Sequence, residues 1–173
     1  MCQHKSGVVI FNSTTGDIRV LASDVSDSHG VIRREHHVRD ADGLLDRYQT
    51  PVEAVPITDL RDIAGWEFRF DAGRPDWWQD SFTDRVLRHL FNATQRLWHD
   101  DMLAPVGDLN LCSLTSLPEQ CELKPGGALN LGSLTSLPEQ CELKPGGDLY
   151  LGSLTSLPEQ CEIGATRVWH GGE

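Results

Sequence analysis

A chain of 173 residues with 39% hydrophobic and 24% charged residues is long enough to bury a core and too balanced in composition to be disordered. Its 26 acidic residues outnumber its 15 lysines and arginines, and a net charge of −11 argues against direct binding to nucleic acid. Neutral or basic partners are favoured instead.

The N-terminus and the cysteines bear on the cellular compartment. The segment MCQHKSGVVIF has one lysine and a short apolar run, too short for a signal peptide or a membrane span. The five cysteines form neither an even disulfide framework nor a zinc pattern of paired CxxC units. We therefore expect a soluble cytoplasmic protein in a reducing compartment, without membrane contact.

The first predicted elements are a hairpin and a short helix. Residues 7–11 (GVVIF) and 17–22 (DIRVLA) are β-rich runs around NSTTGD, whose Gly16 can take a positive φ in a turn. The stretch SDSHGVIRREHHVRD predicts a helix with Ser26 or Ser28 as its N-cap.

Two further strands and a long helix follow. One strand is VEAV, between Pro51 and Pro56, and the other is WEFRF, where aromatic and charged residues alternate. Residues 81–99 then predict a helix capped by Ser81 or Asp80, with one apolar stripe: Phe82, Val86, Leu90, Ala93 and Leu97. We expect a small α+β domain over 1–106.

A twenty-residue unit is copied three times in the second part of the chain, starting at Leu109, Leu129 and Leu149. Self-similarity at this period predicts a short parallel β-solenoid, or leucine-rich-repeat-like array, over 107–163. The N-terminal domain should cap one end. The tail 164–173 should cap the other, with Val168 and Trp169 covering the last coil.

The repeat, through LTSLPE at Leu114 to Glu119, resembles the short leucine-rich repeats of bacterial effector proteins. It departs from them where an asparagine ladder would stand, because Leu114, Leu134 and Leu154 occupy nearly those positions. The resemblance implies an architecture and no activity. A β-solenoid without leucine-rich-repeat curvature remains open.

The repeats are also acidic, with eight carboxylates against two lysines over 107–163. Identical positions stack in a solenoid, which predicts two acidic rows: Glu119, Glu139 and Glu159, and Glu122, Glu142 and Glu162. With Asp108 and Asp148, they form a strip that a basic surface of a partner could meet. The alternative is a solvated face copied by duplication.

The cysteines and histidines are candidates for metal binding or redox chemistry. Cys121, Cys141 and Cys161 should stack closely enough for a crosslink, although we favour the interpretation that they are small buried apolar residues. Cys2, near the N-terminus, is the candidate reactive thiol. The segment 24–40 holds metal-ligand types in no closed motif: Asp24, Asp27, His29, His36, His37 and Asp40. We favour a polar surface there and expect no metal and no cofactor.

Trp77 and Trp78 are the last candidates. Exposed, they would suit an interaction hot spot, and buried, they would form the core of the small domain, which we favour.

A second resemblance rests on SDSH (Ser26 to His29) and WEFRFDAGRPDWW (Trp66 to Trp78). These segments look like an N-terminal module of uncharacterised phage and prophage proteins that precedes LTSLPE repeats. The resemblance implies a bacterial mobile element and brings no catalytic residues. We expect a non-enzymatic protein that binds and inhibits a host protein, such as a nucleic-acid-binding defence protein.

Two alternatives stay open. The repeats can mediate self-association of an accessory or assembly protein through exposed coil edges. The N-terminal domain can instead bind a small ligand, nucleotide or metal through Asp27, His29, Arg33 and His36.

Overall fold

The computed structural model describes residues 5–38 and 47–170, and it confirms an α+β unit followed by a parallel β-solenoid of about three coils. The N-terminal unit is built on an antiparallel sheet, here sheet 1, with the strand order β2-β1-β3-β4. Its strands are β1 (Lys5–Asn12), β2 (Ile18–Leu21), β3 (Arg47–Pro56) and β4 (Trp66–Phe70). The predicted hairpin and the WEFRF strand are therefore confirmed, and Gly16 has a φ of +73° in the hairpin turn.

Strand β3 is longer than expected, because it runs through Pro51 instead of starting after it. Proline is rare in a central strand because it cannot donate to the ladder. Here β4 has already ended at Phe70, which pairs with Val52, so the missing N–H faces the loop beyond it. The carbonyl of Pro51 still accepts a hydrogen bond from Asp71 N at 3.3 Å.

Two helices pack on sheet 1, α1 (His29–Glu35) and α2 (Asp80–Gln95). Ile32 of α1 packs with Val8 and Leu21, whereas α2 packs on the other face, where Val9 points. The predicted apolar stripe is buried from Phe82 to Ala93. Within the described part of the chain, neither helix is long and apolar enough to span a membrane.

The predicted boundaries of the long helix are wrong at both ends. The N-cap is Gln79, so Asp80 lies inside the first turn. The helix ends at Gln95, and Leu97 N bonds Thr94 O in the turn that follows. The chain is redirected there because Trp98 pairs with Leu103 in a short hairpin.

Each coil contributes one short strand to each of two further sheets. Sheet 2 contains β5 (Trp98–His99), β6 (Met102–Leu103), β8 (Glu122–Leu123), β10 (Glu142–Leu143) and β12 (Glu162–Ile163). Sheet 3 contains β7 (Leu109–Asn110), β9 (Leu129–Asn130), β11 (Leu149–Leu151) and β13 (Val168–His170). All their strand pairs are parallel except β5 with β6. Each coil therefore contributes a strand to two parallel sheets. This architecture is a β-solenoid, as expected for the repeats.

Leucines fill the solenoid and merge with the core of the N-terminal unit. Leu114 and Leu134 turn inward at the corner and are fully buried. Asparagines do serve the bend, although at other positions: Asn110 Oδ1 accepts from Cys112 N at 3.3 Å and Asn130 Oδ1 accepts from Gly132 N at 3.0 Å.

The first coil is docked on the N-terminal unit. Thr115 donates to Ile57 O from its N–H and from its hydroxyl, each at 2.9 Å. Ser116 Oγ donates to Thr58 O at 2.6 Å. The N-terminal unit therefore caps this end of the solenoid, as expected.

The tail does not cover the last coil as predicted. It adds β13 beside β11 in sheet 3, with Val168 opposite Leu149 and Trp169 opposite Tyr150. Val168 remains 37% exposed and Trp169 50% exposed, and the Trp169 ring stacks outward on Tyr150, with the ring centroids 6.3 Å apart. The tail instead extends sheet 3, where Leu149 N donates to Arg167 O at 2.8 Å.

Candidate functional site

The first acidic row, here the corner row, consists of Glu119, Glu139 and Glu159. All three are exposed and lie in the corner that leads from sheet 3 into sheet 2. Because the flanking strands pair in a twenty-residue register, their spacing follows the strand spacing of about 4.8 Å. Among the residues that the structure describes, none of the three forms an ion pair.

The second row, here the strand row, consists of Glu122, Glu142 and Glu162, and it differs because lysines lie between its members. Lys124 Nζ is 2.5 Å from Glu122 Oε2 and 2.7 Å from Glu142 Oε2. Lys144 Nζ is 3.2 Å from Glu142 Oε2 and 2.7 Å from Glu162 Oε2. The second acidic row is therefore largely offset by lysines, a compensation that the sequence analysis did not predict.

The ion pairs shift the pKa values of Glu142, Lys124 and Lys144. Hydrogen bonds from Lys124 and then Lys144 lower the pKa of Glu142. Hydrogen bonds to Glu122 and Glu142 raise the pKa of Lys124. A signal for this pairing was in the sequence: each lysine follows its glutamate by two residues, which places both on one face of a strand. Gly164 stands where a third lysine would be.

Asp108 and Asp148, predicted to bind a partner, each have a contact within the solenoid. Asp108 Oδ1 accepts a hydrogen bond from Ala128 N at 2.8 Å. Asp148 Oδ2 accepts from Trp169 Nε1 at 3.4 Å. Both aspartates therefore stabilise coil junctions.

The cysteines of the repeat do stack, but they are not three free thiols as favoured. Cys141 and Cys161 form a disulfide with their Cα atoms 4.8 Å apart. Cys121 is free and buried, and its burial raises the pKa of its thiol to about 11. Cys121 and Cys141 are buried, as the packing interpretation predicts, whereas Cys161 is only partly buried, and the crosslink joins Cys141 to Cys161. Cys2 lies outside the described residues.

The two neighbouring tryptophans belong to the core. Trp78 is 4% exposed and packs edge-to-face on Phe70 and Phe82. Trp77 is half-buried and stacks on Phe11, with the ring centroids 5.0 Å apart. The favoured interpretation is confirmed, and Trp78 cannot present a hot spot to a partner.

The polar residues of 24–38 are dispersed over separate contacts. His29 Nε2 lies 3.3 Å from Val52 O, and His36 Nε2 lies 2.9 Å from Ala22 O. Arg33 Nε donates to Gln49 at 2.8 Å. The described residues contain no group of three or more metal-ligand side chains arranged to hold an ion. Asp40 lies outside the described residues.

Asp27 instead pairs with Lys5, which the sequence analysis missed. Lys5 is only 3% exposed, and its Nζ donates to Ser23 O at 2.5 Å and lies 3.3 Å from Asp27 Oδ1. Burial raises the pKa of Asp27, against the charge of Lys5, which lowers it. This pair lines a cleft of about 480 Å³ between the N-terminal unit and the first coil, whose other walls include Leu97, Pro105 and Asp108.

Comparison with protein-family models, with curated proteins and with solved structures gave no match to this chain. The two resemblances drawn from the sequence therefore stay predictions.

Proposed function

We propose that this protein is a non-enzymatic interaction protein whose corner row receives a basic surface of a partner protein. The observation that carries the proposal is the difference between the two rows. Lys124 and Lys144 offset two of the three negative charges of the strand row, whereas Glu119, Glu139 and Glu159 are exposed without a cation among the described residues.

Three stacked carboxylates repel one another, since interactions between exposed charges extend over about 8 to 10 Å at ordinary ionic strength. No lysine of the repeat offsets this repulsion in the corner row. In the adjacent strand row, by contrast, a lysine two residues after each of the first two glutamates does so. A partner with arginines or lysines at matching spacing gains this attraction on binding. Such charge complementarity accelerates association and makes it depend on salt.

The partner class follows from the charge pattern. A line of regularly spaced negative charges resembles the phosphates that a nucleic-acid-binding protein recognises, so a basic nucleic-acid-binding protein is the partner we propose. The resemblance of SDSH and PDWW to phage and prophage proteins supports a bacterial host protein, with a defence protein as the example. Occupying its nucleic-acid-binding face would inhibit it.

The test is an affinity capture from bacterial lysate with three baits. One is the native chain. The second carries Glu119→Gln, Glu139→Gln and Glu159→Gln. The third is a charge-matched control with three exposed acids of the N-terminal unit replaced: Asp17→Asn, Glu35→Gln and Asp76→Asn.

We expect a host protein that the native and control baits retain and the corner-row variant loses. With the identified partner, the corner-row variant should bind about 3-fold to 150-fold more weakly, because each of the three exposed pairs contributes roughly 0.2 to 1 kcal/mol. Its dependence on salt should fall as well. Equal retention by all three baits would remove the corner row from the binding site.

A second candidate function is self-association, which the open end of the solenoid favours. Leu157 is 47% exposed and Val168 37% exposed at the last coil, beside the outer edges of β12 and β13. In the two preceding coils, the equivalent leucines are covered by the next coil, which has nearly the same sequence. The other end is capped by the N-terminal unit, so two copies would meet end to end with two-fold symmetry.

Sedimentation over a range of concentrations separates the candidates. A dimer that Val168→Lys dissociates and the corner-row variant retains would support self-association. A native chain that stays monomeric at the highest concentration would exclude it.

A further inference from the structure

The three repeat cysteines form a line along the solenoid axis. Strands β8, β10 and β12 pair in register, and Glu142 N bonds Cys121 O just as Glu162 N bonds Cys141 O. Cys121 is therefore one coil below Cys141, in the same relation that Cys141 has to Cys161. The second relation supports a disulfide at a Cα distance of 4.8 Å. The first relation has the same strand geometry, within the usual disulfide range of about 4.4 to 6.8 Å.

We propose that this disulfide moves along the ladder. The thiolate of Cys121 attacks Sγ of Cys141, a bond forms between these two sulfurs, and the Cys141–Cys161 bond breaks. Cys161 leaves as a thiolate and takes up the proton that Cys121 released. One disulfide and one thiol are present before and after, so the exchange needs no oxidant or reductant.

The ladder suits this reaction because thiol–disulfide exchange proceeds by attack of a thiolate on one sulfur while the other leaves. Stacking at consecutive coils places attacking, central and leaving cysteines in one row, with Cys141 always in the middle. The same stacking excludes a direct bond between Cys121 and Cys161, which are two coils apart. Only two arrangements of the disulfide are therefore accessible within the ladder.

The two arrangements differ in which coil is clamped. The disulfide found in the structure ties the last coil to the middle one, where Leu157 is already exposed. Exchange transfers the clamp to the first and middle coils. Cys161, which is less buried than Cys121 and Cys141, then carries the free thiol at the open end. The exchange thus loosens the last coil and exposes a reactive group there.

Exchange should be slow at neutral pH and accelerate with alkali. Burial raises the pKa of Cys121 to about 11, with Arg61 lowering it and Asp101 raising it; the charged groups beside it on the strands are Glu122 and Glu142. Since only the thiolate attacks, the rate should rise about tenfold per pH unit between pH 7 and the pKa.

The spacing of aspartates allows a direct assay. A protease that cleaves before aspartate separates residues 148–173, whose single cysteine is Cys161, from residues 108–147, which contain Cys112, Cys121 and Cys141. The native chain is incubated at several pH values without reductant, quenched with acid, alkylated in denaturant and digested. Mass spectrometry then reports whether the 148–173 peptide is crosslinked or alkylated.

We expect the alkylated 148–173 peptide to accumulate about tenfold faster per pH unit, while the total thiol count stays constant. In Cys121→Ser the peptide should stay crosslinked to 108–147 at every pH, and equal melting temperatures would show that the variant folds. Mixing with isotope-labelled protein should give no hybrid crosslinks. A native peptide that stays crosslinked, a Cys121→Ser variant that exchanges equally, or hybrid crosslinks would overturn the proposal.

Discussion

The same leucine can be truncated in two coils that have the same local sequence but differ in whether another coil covers them. Leu137 and Leu157 occupy the same position of SLTSLPEQCE in the second and third coils. Leu137 is 7% exposed and Leu157 47% exposed, because a further coil covers the first and none covers the second. Truncation of each to alanine therefore isolates the contribution of coil stacking.

The magnitude follows from the exposed fractions. Leucine to alanine removes three carbon groups, worth roughly 2.4 kcal/mol when all of them leave water on folding. Leu137→Ala should cost most of this plus a cavity term, within the range of about 2 to 5 kcal/mol measured for buried leucines. Leu157→Ala should cost about half of the transfer contribution and no cavity term, roughly 1 kcal/mol.

The assay is thermal unfolding followed by circular dichroism, with Thr135→Ala as an exposed control in the middle coil. A difference of about 2 kcal/mol corresponds to melting temperatures about 4 to 8 °C apart for a chain of this size. Leu137→Ala should melt lower. Equal shifts for Leu137→Ala and Leu157→Ala would mean that the coils do not stack as described.

Three further predictions concern the solenoid. Leu131→Ala, in the middle coil, should cost about 2 to 5 kcal/mol, seen as a fall in the urea midpoint; an unchanged midpoint would contradict a packed interior. Gly126→Ala should reduce the folded fraction measured by far-UV circular dichroism, because its Cβ would overlap the carbonyl oxygen of Val106. Lys144→Gln should lower the melting temperature at pH 7. Since Lys144 helps to lower the pKa of Glu142, this loss should vanish as pH falls below the usual glutamate range or as salt increases, and a pH-independent loss would refute the ion-pair explanation.

Periodicity was the reliable signal in this sequence. The twenty-residue period predicted the parallel β-solenoid, because identical coils stack in register. Alternation in WEFRF predicted strand β4, because side chains in a strand point alternately to its two faces. The stripe from Phe82 to Ala93 predicted the buried face of α2 but not its end, because Trp98 pairs across a hairpin that no local pattern announces.

Contacts between residues that are distant in the sequence were not predicted. The contact between Lys5 and Asp27 joins residues from a strand and a distant loop, so neither residue type indicated it. The disulfide between Cys141 and Cys161 required the choice of one neighbour over another in a symmetric row. The lysines of the strand row could have been predicted to form ion pairs, because each follows its glutamate by two residues. The excess of acidic residues in the repeats drew attention away from this spacing.

The docking of the first coil through Thr115 and Ser116 has a consequence for how such a gene can change. Insertion or deletion of one whole twenty-residue unit further along leaves that junction and the tail strand intact. Each inserted copy brings two glutamates and one lysine. The net charge of the strand row therefore stays the same, while the corner row gains one negative charge. Recombination between copies can therefore adjust the length and charge of the exposed strip in unit steps, while each coil keeps the same packing.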